Sequence, residues 1–171
     1  SNEGGFFDCE KVRFYTAFPQ KIGGWIKHSD NTYLGTARAL HNWLALDGSN
    51  YMGIGTHLKY YIEEGGTYFD ITPIRKTVTN AITFSASNGS SSITVTNTSH
   101  GATQFDFVTV SGAVSLGGLI TASVLNQEYQ IASITNANSF VIVAKDTSGN
   151  TVTANASDSG NGGSGVDGVY Q

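Results

Sequence analysis

Between Gly35 and Pro73 the chain reads GTARALHNWLALDGSNYMGIGTHLKYYIEEGGTYFDITP, and its turn residues leave little choice of fold. Asp47-Gly48 stands between two runs rich in apolar and aromatic residues. Both positions accept positive φ at low cost, so the dipeptide predicts a hairpin. Glu63-Glu64-Gly65-Gly66 predicts a second turn. Four short strands are expected around them. Ala37–Leu46 carries Leu40, Trp43 and Leu44. Asn50–Gly55 has Gly53 and Gly55, where another backbone could approach closely. His57–Ile62 follows with Leu58, Tyr60, Tyr61 and Ile62. Thr67–Ile71 alternates through Tyr68 and Phe69 and is ended by Pro73, which has no N–H for a ladder. A meander of about 35–40 residues is the size of one propeller blade.

The rest of the sequence agrees with a β protein. Charged residues are 13% of the chain, and Gly is abundant at 21 while Pro is scarce at 2. No window sustains a 3.6-residue apolar repeat with caps, so almost no helix is expected. The fold class read from this is all-β, a propeller-blade-like antiparallel meander followed by a small β-barrel or β-sandwich. The surface chemistry changes near Lys76. Eight of the nine Lys and Arg, and both Trp, lie in residues 1–76. Residues 77–160 are rich in Ser, Thr, Asn and Ala and read as the barrel or sandwich. Residues 161–171 read as a glycine-rich exit segment. The chain starts without Met and stops on Gly-Val-Tyr-Gln, the opening of a strand, so it reads as a fragment or a mature cleaved piece.

In the first part Lys11–Phe18 alternates as a half-buried strand, Pro19-Gln20 turns, and Lys21–Lys27 continues. In the second, Ser92–Asn97 places Ile93 and Val95 inward. Phe105–Ser111 shifts phase, so a bulge or burial on both sides is expected. Gly112–Gln127 is a long loop with Leu116, Leu119, Ile120 and Leu125 as plugs. Glu128–Thr135 and Asn138–Lys145 form a hairpin with Tyr129, Ile131, Phe140 and Ile142 inward. Thr151–Ala154 is the last of these strands, and Asp158–Gly168 is read as flexible.

No reacting constellation emerges. The single cysteine, Cys9, excludes an intrachain disulfide and is read as buried or at an interface. The histidines His28, His41, His57 and His100 lack metal-ligand spacing. Gly162–Tyr170 fits the calcium nonapeptide of β-rolls, but one copy supplies only part of a cage, and Asp146–Asn150 reads as a hairpin turn. Glu63 and Glu64 read as a solvated pair. No catalytic residue, cofactor or metal is therefore assigned. A net charge of −4 argues against a broad nucleic-acid surface, and no apolar run reaches membrane length. The aromatics are the conspicuous group: four or five short strands cannot hide Phe14, Tyr15, Trp25, Trp43, Tyr51, Tyr60, Tyr61, Tyr68 and Phe69 together. Part of this set, with Tyr170 at the chain end, is read as an interface.

Two stretches resemble known families. KVRFYTAFPQKIGGW with LGTARALHNWLALDGSNYMGIGTHLKYYIEEGGTYFDITPIR, within residues 3–76, resembles the N-terminal part of the packaged-DNA stabilisation or tail-nozzle proteins of short-tailed bacteriophages, which build a propeller-like body. SSITVTNTSHGATQFDFVTVSGA and NQEYQIASITNANSFVIV are similar to the small β-barrel called the first catalytic cysteine half-domain. Phage structural proteins use similar modules as insertions, and the module brings a fold without chemistry. The resemblance implies a virion component, assembled in the host cytoplasm and extracellular in the mature particle. Its partners would be other copies of itself and other virion proteins. One blade cannot close a propeller, so most of such a body is missing. The expectation is a non-enzymatic structural tail protein that assembles through strand edges and aromatic contacts. The alternatives are a carbohydrate- or cell-surface-binding module, using exposed aromatics or the Gly112–Gln127 loop, and, last, a small hydrolase.

Overall fold

The predicted turns form where the glycines stand. Gly65 and Gly66 adopt φ of 56° and 87°, and Gly48 adopts 87°, a region that side-chain-bearing residues rarely enter. They close the meander in a computed structural model that describes residues 10–24 and 26–171. A hairpin comes first, β1 (Val12–Tyr15) and β2 (Phe18–Lys21). The meander is β3 (Ala37–Leu44), β4 (Asn50–Thr56), β5 (Tyr60–Glu64) and β6 (Thr67–Asp70), paired in that order and antiparallel throughout.

The hairpin corrects the reading of Lys11–Phe18 as one strand. The chain reverses at Thr16-Ala17, with φ of 47° and 64°, and Pro19 lies in β2 opposite Phe14. Thr and Ala seldom make such turns, so the local chemistry gave no signal. Pro19 is tolerated because a two-stranded ribbon consists only of edges. The strand expected over Lys21–Lys27 ends at Lys21.

The remaining strands are β7 (Lys76–Val78), β8 (Thr83–Ala86), β9 (Ser92–Thr96), β10 (Phe107–Ser111), β11 (Glu128–Gln130), β12 (Ser133–Asn136), β13 (Ser139–Val143) and β14 (Asp167–Tyr170), with one helical turn, α1 (Ala122–Leu125), before β11. They form two open four-stranded sheets, ordered β11-β10-β14-β7 and β12-β13-β9-β8. Both sheets contribute to one core: Val108, Val110, Tyr129 and Tyr170 from the first, and Phe84, Ile93, Val95, Phe140 and Ile142 from the second. This is a sandwich, with no closed barrel. The inward sets predicted at Ile93/Val95 and at Tyr129/Ile131/Phe140/Ile142 are all buried.

Four local readings change. The Ser/Asn/Gly composition of Ser85–Ser91 predicts a turn, but β8 occupies its start. The expected strand Glu128–Thr135 is split, because Ile131 and Ala132 carry the chain from one sheet to the other. Thr151–Ala154 contributes a single bridge, Thr151 to Lys145. The run read as flexible, Asp158–Gly168, is anchored: Val166 is fully buried, Asp158 is buried, and Gly162 faces the Phe84 ring so closely that a Cβ there would sit 2.5 Å from it. The closing strand β14 then lies between β10 and β7. Tyr170 was expected to reach a partner chain, but it is 1% exposed and its ring packs edge-on to Phe140. Phe107 explains the phase shift of its strand. It is buried like Val108 and Val110, and Lys59 Nζ sits 4.6 Å from its ring centroid.

Lys59 ties the meander to the sandwich. It is 2% exposed, and its ammonium donates to Asp70 Oδ2 at 2.6 Å, Glu128 Oε1 at 2.5 Å and Gln171 Oε1 at 3.0 Å. All three N–H groups are thus used. Burial would lower the Lys59 pKa, but the two carboxylates hold it above the usual 10.5. Burial would raise Asp70, but the bonds from Lys59 and Thr72 hold it below 3.8. The Asp70 contribution is present above 3.8 and is lost as pH falls through its lower folded value. The Lys59 contribution is complete below 10.5 and lost only above its raised value. Lys59→Met should cost about 3 kcal/mol in urea unfolding, the low end for a broken buried pair. The two carboxylates, 30% and 32% exposed, can rehydrate. The variant should also flatten the loss of stability below pH 4 that the parent chain shows, since its Asp70 no longer has a lysine to lose.

Candidate assembly face

Directly opposed residues of an antiparallel pair share a face, so the register sorts the meander's side chains. His41, Trp43, Tyr51, Gly53, Gly55, Tyr60, Ile62 and Phe69 fall on one face. Leu40, Asn42, Met52, Ile54, Tyr61, Glu63, Tyr68 and Asp70 fall on the other.

The second face is covered over β5 and β6 by the chain before β3, while Leu40 and Leu44 of β3 stay 62% and 66% exposed. Tyr33 packs on Tyr68 and Tyr61, with ring centroids 4.9 and 5.7 Å away. Leu34 N donates to the Tyr61 hydroxyl at 3.1 Å, Asn31 Nδ2 donates to Gly66 O at 2.9 Å, and Ser29 Oγ donates to the same carbonyl. Tyr61 is consequently buried and Tyr68 half-buried, which removes both from the expected exposed set. Glu63 and Glu64 are not a solvated pair. Alternation sends Glu63 into this covered side, where it is buried, and leaves Glu64 exposed.

The first face has no such cover among the described residues. Trp43 is 38% exposed, Tyr60 56%, Phe69 50% and Ile71 50%. His41, Trp43 and Tyr51 form a stacked row, with centroids 6.0 and 5.6 Å apart and planes 23° and 25° from parallel. Two glycines of β4 lie beneath aromatic rings. A Cβ on Gly53 would touch the Trp43 ring at 3.4 Å, and one on Gly55 would touch the Tyr60 ring at 3.7 Å. What approaches these glycines is therefore an aromatic ring lying on the sheet, rather than the second backbone that the sequence led one to expect. Between the rings runs a groove of about 220 Å³, lined by Ala39, His41, Gly53, Gly55, Tyr60 and Ile71.

The predicted interface residues therefore separate. Trp43, Tyr60 and Phe69 come together here, joined by Tyr51. Phe14 and Tyr15 are exposed on the separate hairpin, with Phe18 beside them. Tyr61, Tyr68 and Tyr170 face inward. Trp25 lies outside the described residues, as does Cys9. Sequence reasoning missed Ile71 and the stacked position of His41; the strand period places His41 two residues from Trp43 and could have found it. Among the described residues no further strand pairs with the two outer strands of the meander, β3 and β6.

Other candidate groups are engaged in holding the fold. His57 Nδ1 accepts from Thr36 N at 3.0 Å, and buried His100 accepts from Ala102 N at 3.0 Å. Asp146 accepts from Ser148 N and Asn150 N at 2.9 and 2.8 Å, closing the turn read from the sequence. Asp167, in the calcium-like run, accepts from Asn80 N at 2.8 Å. The Gly112–Gln127 loop is packed rather than presented, since Leu116, Ile120 and Leu125 are buried and only Leu119 of its four plugs is exposed. Among the described residues no group of three His, Cys, Asp or Glu is placed to hold a metal ion, and no helix is long and apolar enough to cross a membrane.

No protein-family model matches the chain, and no curated protein does. Among solved structures it is similar to the phage phi92 endosialidase at 16% identity and a TM-score of 0.41, over 77% of this chain and 18% of that one. The chain thus spans under a fifth of the length of the protein it matches. At that score the likeness assigns neither a shared fold nor an activity.

Proposed function

We propose that this chain is a structural component of a phage-like tail, and that it acts by packing against other chains rather than by catalysis. One observation carries the reading. The first face of the meander presents Trp43, Tyr51, Tyr60, Phe69 and Ile71 as one continuous aromatic and aliphatic surface, with no cover from the described residues. Apolar patches of this kind mark interaction surfaces, and Trp and Tyr are the residues that most often dominate them. The outer strands β3 and β6 add main-chain donors and acceptors that a partner strand could pair with. The phage setting comes from the sequence resemblance of residues 3–76 to tail-nozzle proteins. In this reading residues 1–76 are the assembly segment, and the sandwich, closed by β14, projects from it. Its partners are further copies and other virion proteins, in the tail of the mature particle.

Electron microscopy of the purified chain tests this. Rings, filaments or discrete oligomers are expected, since a heterologous contact closes into a ring or propagates as a fibre. Fields of separate single chains at high concentration would contradict it.

A further inference from the structure

The second face of the meander carries a cleft where its cover ends. Beside β3–β5 lies a cleft of about 360 Å³ whose lining includes Asn42, Asn50, Met52, Glu63 and His28. Asn42 is opposite Met52, and Met52 opposite Glu63, so three side chains form a row across three strands. Asn50 is two residues before Met52 on the same side.

The hydrogen bonding of this row is incomplete. Glu63 is 6% exposed. Its Oε1 accepts from Gly66 N at 2.6 Å and lies 3.2 Å from His28 Nε2. Its Oε2 has no donor among the described residues, and neither the Asn42 nor the Asn50 carboxamide bonds another described group. One carboxylate oxygen of mostly buried Glu63 and the carboxamides of exposed Asn42 and Asn50 thus converge on a cleft floored by a thioether. Polar groups that solvent reaches can exchange their water for the hydroxyls of a ligand. A partner that both donates and accepts, and has an apolar flank, fits all of them. Vicinal hydroxyls on a sugar ring do this: they donate to Glu63 Oε2, exchange bonds with the two amides, and lay C–H groups on Met52. A single carboxylate in a chain of net charge −4 disfavours an anionic sugar.

We propose that this cleft binds one unit of a neutral sugar. Trp43 and Tyr51 also line the cleft, so it adjoins the assembly surface, but sugar binding and self-association are read by separate measurements.

Saturation-transfer NMR on the full chain tests it and works for assemblies as well as single chains. The probes are maltotriose, lactose and mannobiose, with sialyllactose as the anionic comparison. Transfer to at least one neutral sugar is expected, at least tenfold weaker in Asn50→Ala and in Asn42→Ala and unchanged in Leu119→Ser. The Asn50 side chain is exposed and bonds no other described group, so its variant should fold even if Glu63→Gln, which disturbs the Gly66 turn, does not. The proposal is overturned by absence of transfer to all three neutral sugars, by tighter binding of sialyllactose than of lactose, or by transfer that neither asparagine variant weakens.

Discussion

Asp158→Ala lowers the stability of the chain by about 4 kcal/mol, enough to remove much of the 5–15 kcal/mol that a domain of this size holds in reserve. The carboxylate is 4% exposed. Its Oδ1 accepts from Gly118 N at 3.0 Å and Ile120 N at 2.9 Å, and its Oδ2 from Leu119 N at 3.1 Å and Asn155 N at 2.7 Å. Four main-chain donors from two loops meet on one side chain. Alanine strands them, and a hydrogen bond to a charged group is worth about 1.5–3 kcal/mol, with non-additivity reducing the sum. The room is tight as well: a Cβ on Gly118 would collide with Asn155 and Asp158. A fall in Tm of about 10 °C follows from the usual conversion for this chain length. Asp158→Asn keeps one acceptor oxygen but turns an NH₂ toward two donors, so it should recover less than half. Burial pushes the Asp158 carboxyl up, but the four N–H donors hold it below 3.8. Its contribution is therefore complete at neutral pH and disappears as pH falls through that lowered value.

The combined variant Trp43→Ser, Tyr60→Ser, Phe69→Ser weakens self-association by at least about a hundredfold, which is roughly 2.7 kcal/mol. The three rings are each more than a third exposed, so their removal barely touches the core of the fold. Buried Trp and Tyr anchors commonly carry 2 kcal/mol or more each at an interface, and their effects overlap. Urea unfolding should show the variant as stable as the parent chain measured at dilution. The matched control is Phe14→Ser with Phe18→Ser on the hairpin, which should weaken association by less than tenfold if the meander face is the main contact. An equal loss in both would move the principal contact to the hairpin.

How much of this was legible depends on how far apart in the chain the cause lies. The hairpins of the meander were readable because their signals, Asp47-Gly48 and Gly65-Gly66, sit at the turns themselves. The sandwich core was readable at Ile93/Val95 and Phe140/Ile142 because alternation is a property of one strand. Period two says that a strand has two sides, but not which one will be covered. That was decided by Tyr33 and Leu34, outside any strand, and it moved Tyr61 and Glu63 inside while leaving Tyr60 and Glu64 out. Nothing local to Lys59 marks it in the sequence. Its burial depends on Glu128 and Gln171, 69 and 112 residues away. Tyr170 was read correctly as part of a strand and wrongly as seeking another chain. Its partners, β10 and β7, were already present. The Asp158 anchor was invisible because its donors are main-chain groups, which the sequence does not distinguish.

The whole account rests on the aromatic side of the meander being covered by other chains in solution. Sedimentation equilibrium over a wide concentration range measures this most directly. The expected result is a mass that rises with concentration above that of one 18.1 kDa chain, and that the triple serine variant returns to that value. A parent chain that sediments as a single 18.1 kDa species at every concentration would contradict it.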